Sequence, residues 1–547
     1  MNFQELAELL YPNIHTTPAD MEMRFPKRNL PEGAKVTRFA PSPTGFVHFG
    51  SLFPSRVSER LAHQSGGIFY LRIEDTDAKR EVAGAIENLI EVYRYYGIEF
   101  DEGATMDGDH GAYGPYRQSE RAEIYQTYAK DLVAQGKAYP CFCSEEELNT
   151  IRAEQESIKA TPGYYGKWAI WRDAPMEKIQ QKLSEGVPFV LRFRSEGNAA
   201  NKIKFTDLIK GNIEITENEI DHVLLKSDGI PTYHFAHAVD DHLMGTTHVV
   251  RGEEWLPSLP FHIQLFRALG FKLPKYLHIS QLMKLVGDSK KKLSKRDNEA
   301  GMQFYKEAGY APECVVEYIM TLLNSNYEEW RTANPDQNFT EFPFSISKMS
   351  PSGSLFDFDK LNDVSKNVVA RMSADQVYDY VVAWAKEFDP ALASHFSADP
   401  VYAKRILSIG RGGAKPRKDL TVWKDVKPYV SLFYDDWFCK EDDYPAEFDL
   451  QVVKEALQQF ITTYNYNDDA NTWFSKLKTI ALNLGFAPET KLYKKDPTAY
   501  KGHVGDISMF IRIALTGKKN SPDMYTVMQI LGQERTLNRI QAQIDAM

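Results

Sequence analysis

KVTRFAPSPTGFVHFGSLFPSRVSERLAH occupies residues 35–63, and its pattern changes character twice. KVTRFA alternates as a strand does, PSPTG is a turn stiffened by two prolines, and VHFGS leads into a helical stretch over 52–63. Ser51 is placed to cap that helix, and Pro54 falls in its first turn, where a missing N–H costs nothing. A second strand, IFYLRI at 68–73, ends in EDTD. The helix after it carries Val82, Ile86, Leu89, Ile90 and Tyr93 at helical spacing and stops at Gly97. Strand, helix, strand, helix in this rhythm predicts the start of a parallel α/β sheet.

Working outward, the rhythm breaks between about 113 and 230. Helical segments (120–135, 145–160) mix there with strand-like ones (PFVLRF, KIKFTDL, HVLLK), the signature of an α+β insertion. The α/β order returns with the helical YHFAHAVDDHL, the strand THVVRG, a helix running to Ala268 and a strand near YLHIS, and a lysine-rich loop, GDSKKKLSKRD, closes this part. Beyond about Gln303 the periodicity is helical (369–388, 452–466, 473–484, 507–515, 524–543), with polar connectors at RGGAKPRKD and KKDPTAYKGH. Residues 1–32 read as a short helix and a proline-interrupted lead-in. The expected fold is therefore α/β: a Rossmann-like parallel-sheet domain with an α+β insertion, followed by a mainly α-helical C-terminal region.

At 547 residues, several domains are expected. A hydrophobic content of 43% and a charged content of 26% exclude wholesale disorder. No stretch approaches the roughly 18 apolar residues of a membrane span, and MNFQELAELLYPNIH lacks the order of a signal peptide, so a soluble protein of the cytoplasm is expected. Four cysteines are too few for a disulfide framework. A formal net charge of −10 argues against a protein that coats nucleic acid indiscriminately, although it leaves room for a local basic surface. Neither G-x-G-x-x-G after a strand nor G-x-x-x-x-G-K-[ST] occurs. If the chain binds a nucleotide, it does so another way.

Two stretches could hold one. A histidine and a glycine delivered to a helix start, His48 and Gly50, make a floor for a polyphosphate: the glycine lets phosphate approach, the helix N-terminus offers N–H groups, and the imidazole donates. About 240 residues on, Lys292-Leu293-Ser294-Lys295-Arg296 can swing over a triphosphate, where positive charge counts most as charge develops on the attacked phosphorus. Singly, the first reads more readily as an ordinary loop histidine and the second as a solvated basic run.

In this order, with α/β elements between them, the two stretches resemble the HIGH-like and KMSKS-like signatures of class I aminoacyl-tRNA synthetases. RFAPSPTG, YLRIEDTD, GPYRQSER, DGIPTYHFAHAVDDHLMGTTHVVRGEEW and KKLSKR, within residues 38–296, together resemble a bacterial-type glutamyl-tRNA synthetase, and MFIRIALTG with SPDMYTVMQILGQERTLNRI resembles that family's closing helices. The resemblance implies a ligase of protein biosynthesis that activates L-glutamate with ATP and Mg²⁺ and charges tRNA(Glu). Some relatives also charge tRNA(Gln), and that choice stays open. It assigns His48, Lys292 and Lys295 to catalysis. ATP binding falls to His48, Gly50, Glu254, Trp255, Lys292, Leu293 and Lys295, and glutamate binding to Arg38, Ala40, Ser42, Glu74, Tyr233, His237 and Arg251. A planar guanidinium suits a carboxylate, whose two oxygens it pairs, better than a carboxamide. His237 stands where many relatives have asparagine. Cys141 and Cys143 reproduce half of a zinc site found in some relatives, but Trp168 and Ile170 occupy the other half, so zinc is not expected.

On this reading 1–32 is an extension, 33–112 and 232–300 are the halves of the catalytic domain, and 113–231 is an insertion for the acceptor stem. Residues 301–375 contact the tRNA stem, and 376–547 form the anticodon-binding region of a monomer. Aromatic and basic residues interleave there, at Arg405, Arg411, Lys415, Arg417, Lys418, Trp423, Lys424 and Tyr429, and could meet bases and phosphates or equally be core and surface. Two rival readings carry less. His234, His237, Asp240, Asp241, His242 and His248 could ligate a hydrolase metal, but their spacing matches no ligand signature. A binding protein without activity would have little reason to keep the whole phosphate-handling set.

Overall fold

A computed structural model describes residues 2–77, 79–293, 298–413 and 415–547. The chain divides into two compact units, Met1–Phe304 with Val316–Asp357, and Tyr305–Val315 with Phe358–Met547. None of the described helices is long and apolar enough to cross a membrane.

The first unit holds the parallel sheet. Strands β1 (Val36–Phe39), β2 (Ile68–Leu71) and β3 (Glu102–Thr105) are parallel neighbours, and β4 (Gly108–His110) turns back antiparallel on β3. Both β1 and β2 are buried almost throughout, as a sheet covered on both faces requires. The insertion contributes β5 (Ala138–Cys141), β6 (Val190–Phe193) and β9 (Val223–Leu225) as one antiparallel sheet, and β7 (Lys202–Asp207) and β8 (Gly211–Thr216) as a hairpin. β10 (His248–Gly252) and β11 (Lys275–Ile279) are parallel neighbours. β10 runs beside β1: Thr247 N–H donates to the Val36 carbonyl at 2.9 Å, and Val36 N–H donates to Thr247 Oγ1 at 2.8 Å. The strand order is thus β3-β2-β1-β10-β11, reversing between β1 and β10, which is where α/β sheets open a crevice beyond their carboxyl ends.

Three local expectations are corrected. The helix after β1 spans Phe49–His63, with His48 rather than Ser51 at its N-cap. Ser51 is instead the third helical residue, its hydroxyl accepting from His48 N–H at 3.3 Å and donating to the His48 carbonyl at 2.7 Å. Pro54 consequently lies in the second turn, where it supplies no N–H for the Gly50 carbonyl. The lysine-rich loop also begins as a strand: β12 (Met283–Val286) and β13 (Ser289–Lys292) form a hairpin around Gly287, whose φ of 60° favours glycine, and β14 (Leu355–Phe356) adds to β12. Successive lysines give β13 no apolar alternation to announce it.

Residues 1–32 pack against the first unit through helices Phe3–Leu10 and Pro18–Arg24. The second unit is helical, with one core around Phe396, Trp423 and Phe433 and another around Phe460, Leu477 and Phe510. The long period read over 369–388 is split into helices Phe358–Arg371 and Ala374–Phe388, because the Ser373 hydroxyl caps a new start. Likewise Gly532, at φ 83°, breaks the last helical stretch, Met524–Asp545.

Candidate active site

At the ends of β1 and β10 lies a cleft of about 1230 Å³. The turn after β1 is held by backbone bonds: Glu74 N–H donates to the Pro41 carbonyl and Val82 N–H to the Pro43 carbonyl, each at 2.9 Å. These fix where the proline-rich turn and the segment after β2 approach each other. Arg38, Ala40, Ser42, Glu74, Tyr233, Arg251, Glu254 and Trp255, all expected from the sequence, line the cleft. A second cavity of about 640 Å³ shares Pro54, Gly252 and Glu254 with it, and there His48 and Gly50 meet Lys292 and Leu293. The two distant stretches therefore converge, with the His48 backbone also bridged to Gly301. Lys295 lies outside the described residues.

Glycine leaves room for a neighbouring side chain at two places in these walls. A Cβ on Gly50 would stand 3.1 Å from His48 Nδ1, and one on Gly252 would stand 2.1 Å from Glu254 Oε2, so each glycine admits the side chain that reaches the cavity.

Beneath the cleft floor lies a buried charge network. Arg38 Nε–H donates to Asp241 Oδ2 at 3.3 Å, while Arg72 Nη1 donates to Asp241 Oδ1 at 2.6 Å and Arg72 Nη2 to Glu74 Oε1 at 3.1 Å. Burial pushes Asp241 upward, but Arg38 and Arg72 outweigh it and hold the carboxylate well below its ordinary range. For Glu74 burial wins over the same arginines and raises it to about 7. Asp240, one residue before Asp241, is taken by Arg121 Nε at 2.8 Å, Gln118 and Tyr125. The carboxylates of the candidate metal cluster are thus engaged by arginines, His237 Nδ1 faces Asp241 at 2.8 Å while His234 and His248 have other partners, and among the described residues no metal-binding group of three or more His, Cys, Asp or Glu forms. Cys143 Sγ faces the Tyr164 hydroxyl at 3.5 Å.

His237 is placed differently from its expected role. It has no exposed surface and lies behind Tyr233, ring parallel to ring at 5.8 Å, with Nε2 on the Tyr276 hydroxyl at 2.9 Å. Positions 233 and 237 are one turn apart on the same face of the helix Tyr233–Leu243, so His237 stacks behind Tyr233, one turn further into the core. Tyr233 itself stacks near Trp255 at 4.2 Å.

Arg251 differs from Arg38 in its company. It is 6% exposed, and Nε–H donates to His278 Nε2 at 3.0 Å, Nη1 to His262 Nδ1 at 3.1 Å, and Nη2 to the Trp255 carbonyl at 3.5 Å. Among the described residues no carboxylate pairs with it. A buried guanidinium facing a cleft with only neutral partners is poised for an anion. Sequence reasoning missed His262, His278, Arg72 and Asp207. No sequence spacing announces them; only the register of β10 against β11 sets Arg251 opposite His278.

A sheet that reverses order beside a cleft where a HIGH-like and a KMSKS-like stretch meet is the arrangement of the class I aminoacyl-tRNA synthetases. The model of the catalytic domain of tRNA synthetases class I (E and Q) matches residues 35–363, and that of an anticodon binding domain matches residues 498–544. The chain belongs to the glutamate–tRNA ligase family within that class. It is 51% identical over 543 residues to the glutamate–tRNA ligase of Acetivibrio thermocellus, covering 99% of this chain and 100% of that one. It is 48% identical over 546 residues to that of Clostridium perfringens strain 13, with the same coverage. Among solved structures, a glutamate tRNA ligase from Elizabethkingia meningosepticum in complex with its amino acid is similar at a TM-score of 0.72 and 28% identity, over 93% of this chain and 99% of that chain. Glutamate-tRNA synthetase from Elizabethkingia anophelis is similar at 0.73 and 29%, over 94% and 100%.

Proposed function

We propose that this chain joins L-glutamate to tRNA(Glu) in two ATP-dependent half-reactions. In the first, a glutamate α-carboxylate oxygen attacks the α-phosphorus of ATP, a new oxygen–phosphorus bond forms, the α–β phosphoanhydride bond breaks and pyrophosphate leaves; Mg²⁺ on the ATP phosphates would offset their charge. In the second, the terminal ribose hydroxyl of tRNA attacks the carbonyl of the mixed anhydride and AMP leaves. Neither step uses a protein nucleophile, so the chain's part is placement and charge stabilisation. His48, Lys292 and Lys295 act on the phosphates, Gly50 and Leu293 shape that cavity, and Glu254 and Trp255 border the adenosine. Arg38 and Arg251 hold the substrate carboxylates, Glu74 faces the ammonium, and Ala40, Ser42 and Tyr233 line the pocket. His237 supports Tyr233 from behind.

The observation that carries this reading is Arg251, buried at the cleft and held by two imidazoles with no carboxylate among the described residues. A glutamate side chain supplies the missing anion, whereas glutamine's amide leaves the guanidinium unmatched. Arg251→Gln is expected to lower kcat/KM for glutamate on the order of 10²-fold or more, the scale of losing one partner of a buried charge pair, with KM for ATP little changed. An equal fall in both parameters would remove Arg251 from the amino-acid pocket.

We place residues 113–231 at the acceptor stem, 301–375 along the stem and 376–547 at the anticodon, in a cytoplasmic monomer. Trp423, at 2% exposure, is a core residue, and Arg411 donates to the Met372 carbonyl at 3.3 Å. Tyr429 packs against the same core. Arg417 is paired with Asp419 at 2.6 Å and Arg405 donates to the Gln529 carbonyl at 3.2 Å, which leaves the exposed Lys415, Lys418 and Lys424 as the phosphate-facing cations of that stretch. Charging of separate tRNA(Glu) and tRNA(Gln) transcripts defines the acceptor range.

A further inference from the structure

Arg251 is oriented by a chain of side chains that starts in the insertion. Asp207 ends β7, 1% exposed, and each of its oxygens is committed. Oδ1 accepts from the backbone N–H groups of Ile209 at 2.9 Å and Lys210 at 2.8 Å. Oδ2 accepts from the His278 backbone N–H at 3.1 Å and lies 2.7 Å from His278 Nδ1. On the other side of that ring, Nε2 receives Arg251 Nε–H. An arginine only donates, so His278 Nε2 carries the lone pair and its proton resides on Nδ1, toward Asp207. The same reasoning sets His262, whose Nδ1 accepts from Arg251 Nη1 and whose Nε2–H donates to His234 Nδ1 at 2.8 Å.

The turn that carries Asp207 is itself pinned. Leu208 N–H donates to the Tyr276 carbonyl at 3.0 Å, and Lys210 Nζ reaches Glu253 Oε2 and the Pro351 carbonyl, each at 2.6 Å, and Ser280 Oγ. Tyr276 also lies under the Arg251 guanidinium at 4.7 Å.

We propose that Asp207 and His278 are positioning residues for the amino-acid-binding arginine, fixing through one imidazole which N–H groups of Arg251 remain for the substrate carboxylate. This rests on the assignment of Arg251 to the glutamate pocket. A carboxylate placed directly on Arg251 would compete with the substrate's own. One ring away, Asp207 orients the imidazole and strengthens it as an acceptor while the guanidinium keeps its charge for the ligand. Burial holds both His278 and His262 below their ordinary range, consistent with neutral acceptors.

Asp207→Asn tests the chain sharply. Oδ1 accepts from two backbone N–H groups and Oδ2 from one backbone N–H and an imidazole whose proton can shift, so the new NH₂ falls at the Oδ2 position and faces His278 Nδ1. The imidazole proton then moves to Nε2 and confronts Arg251 Nε–H. Steady-state aminoacylation by the full chain with tRNA(Glu) is expected to show KM for glutamate raised about 10- to 100-fold, the range seen when an outer partner of a ligating imidazole is removed. KM for ATP should stay within about twofold, and preference for glutamate over glutamine should narrow. His278→Gln offers a carbonyl acceptor that does not depend on Asp207, so Asp207→Asn should add less than about threefold in that background, the mark of residues acting in series. An unchanged glutamate KM in Asp207→Asn, or effects that multiply in the double variant, overturns the relay. Should Asp207→Asn fail to fold, His278→Phe, which keeps the bulk and loses the acceptor, must raise the glutamate KM selectively or the proposal is wrong. Arg251→Gln run in parallel separates the two levels: if it spares glutamate, the pocket assignment fails, whereas if it does not and Asp207→Asn does, only the relay fails.

Discussion

Glu74 is the residue whose charge is most finely balanced. Burial raises it to about 7 against the pull of Arg72 and Arg38, so near neutrality both protonation states are populated in the free enzyme. If it receives the substrate ammonium, only the carboxylate serves, and kcat/KM for glutamate should fall as pH drops below about 7. Glu74→Gln should be slower throughout and lose that limb of the profile. A limb that persists in Glu74→Gln assigns it to another group. Gly50 and Gly252 act at the same scale by absence, since a Cβ at either would press on the side chain of His48 or Glu254 as it now lies. His48, Gly50 and Arg251 were legible from motif and order. Asp207 and His278 were not, because their relation to Arg251 is a matter of angle and distance across three strands rather than of spacing.

Among the elements, the N-terminal extension gives a measurable case. Arg28 forks onto both oxygens of Glu102 at 2.8 Å, donates through Nε to the Met244 carbonyl at 2.7 Å, and covers the Tyr113 ring at 3.8 Å. With side-chain exposures of 8% and 16%, the pair is largely buried, and removing one member strands the other. Arg28→Met should destabilise by about 3 kcal/mol, read as a lower denaturant midpoint at unchanged slope. A shift below about 0.5 kcal/mol would mean the extension rests on its apolar contacts alone. This role was invisible in residues 1–32, where the helix over Phe3–Leu10 could be read but its dock could not.

For the whole molecule, pH sets stability from two sides. Burial lowers His222, His234, His237 and His248 to about 4, so below their ordinary 6.5 the unfolded chain takes up protons that the folded chain refuses. Stability is therefore lost as pH falls from 6.5 toward 4, each such histidine contributing at most about 1.4 kcal/mol per pH unit. His63 acts oppositely. Asp101 and Glu59 raise it to about 9, so its contribution is fully present below 6.5 and is lost as pH rises through 9. A denaturation series from pH 4 to 9 should show a maximum near 6.5, with the alkaline decline reduced in His63→Gln. Constant stability between pH 4 and 6.5 would contradict the buried neutral imidazoles.

The order of elements, the class of fold and the meeting of two phosphate-handling stretches could be read from the chain alone. Alternation, helical period and motif order are one-dimensional records of which faces must be buried and which turns must bend. Folding in three dimensions decided everything that depends on side-chain direction. His237 went to the core instead of the cleft, Trp423 became packing, the aspartates beside His237 became counter-ions to arginines, and β13 formed from lysines that carry no period. Above all it gave Arg251 imidazoles for neighbours where a carboxylate would have spent its charge, because which polar groups face one another across a buried strand pair is settled only when β7, β10 and β11 are brought side by side.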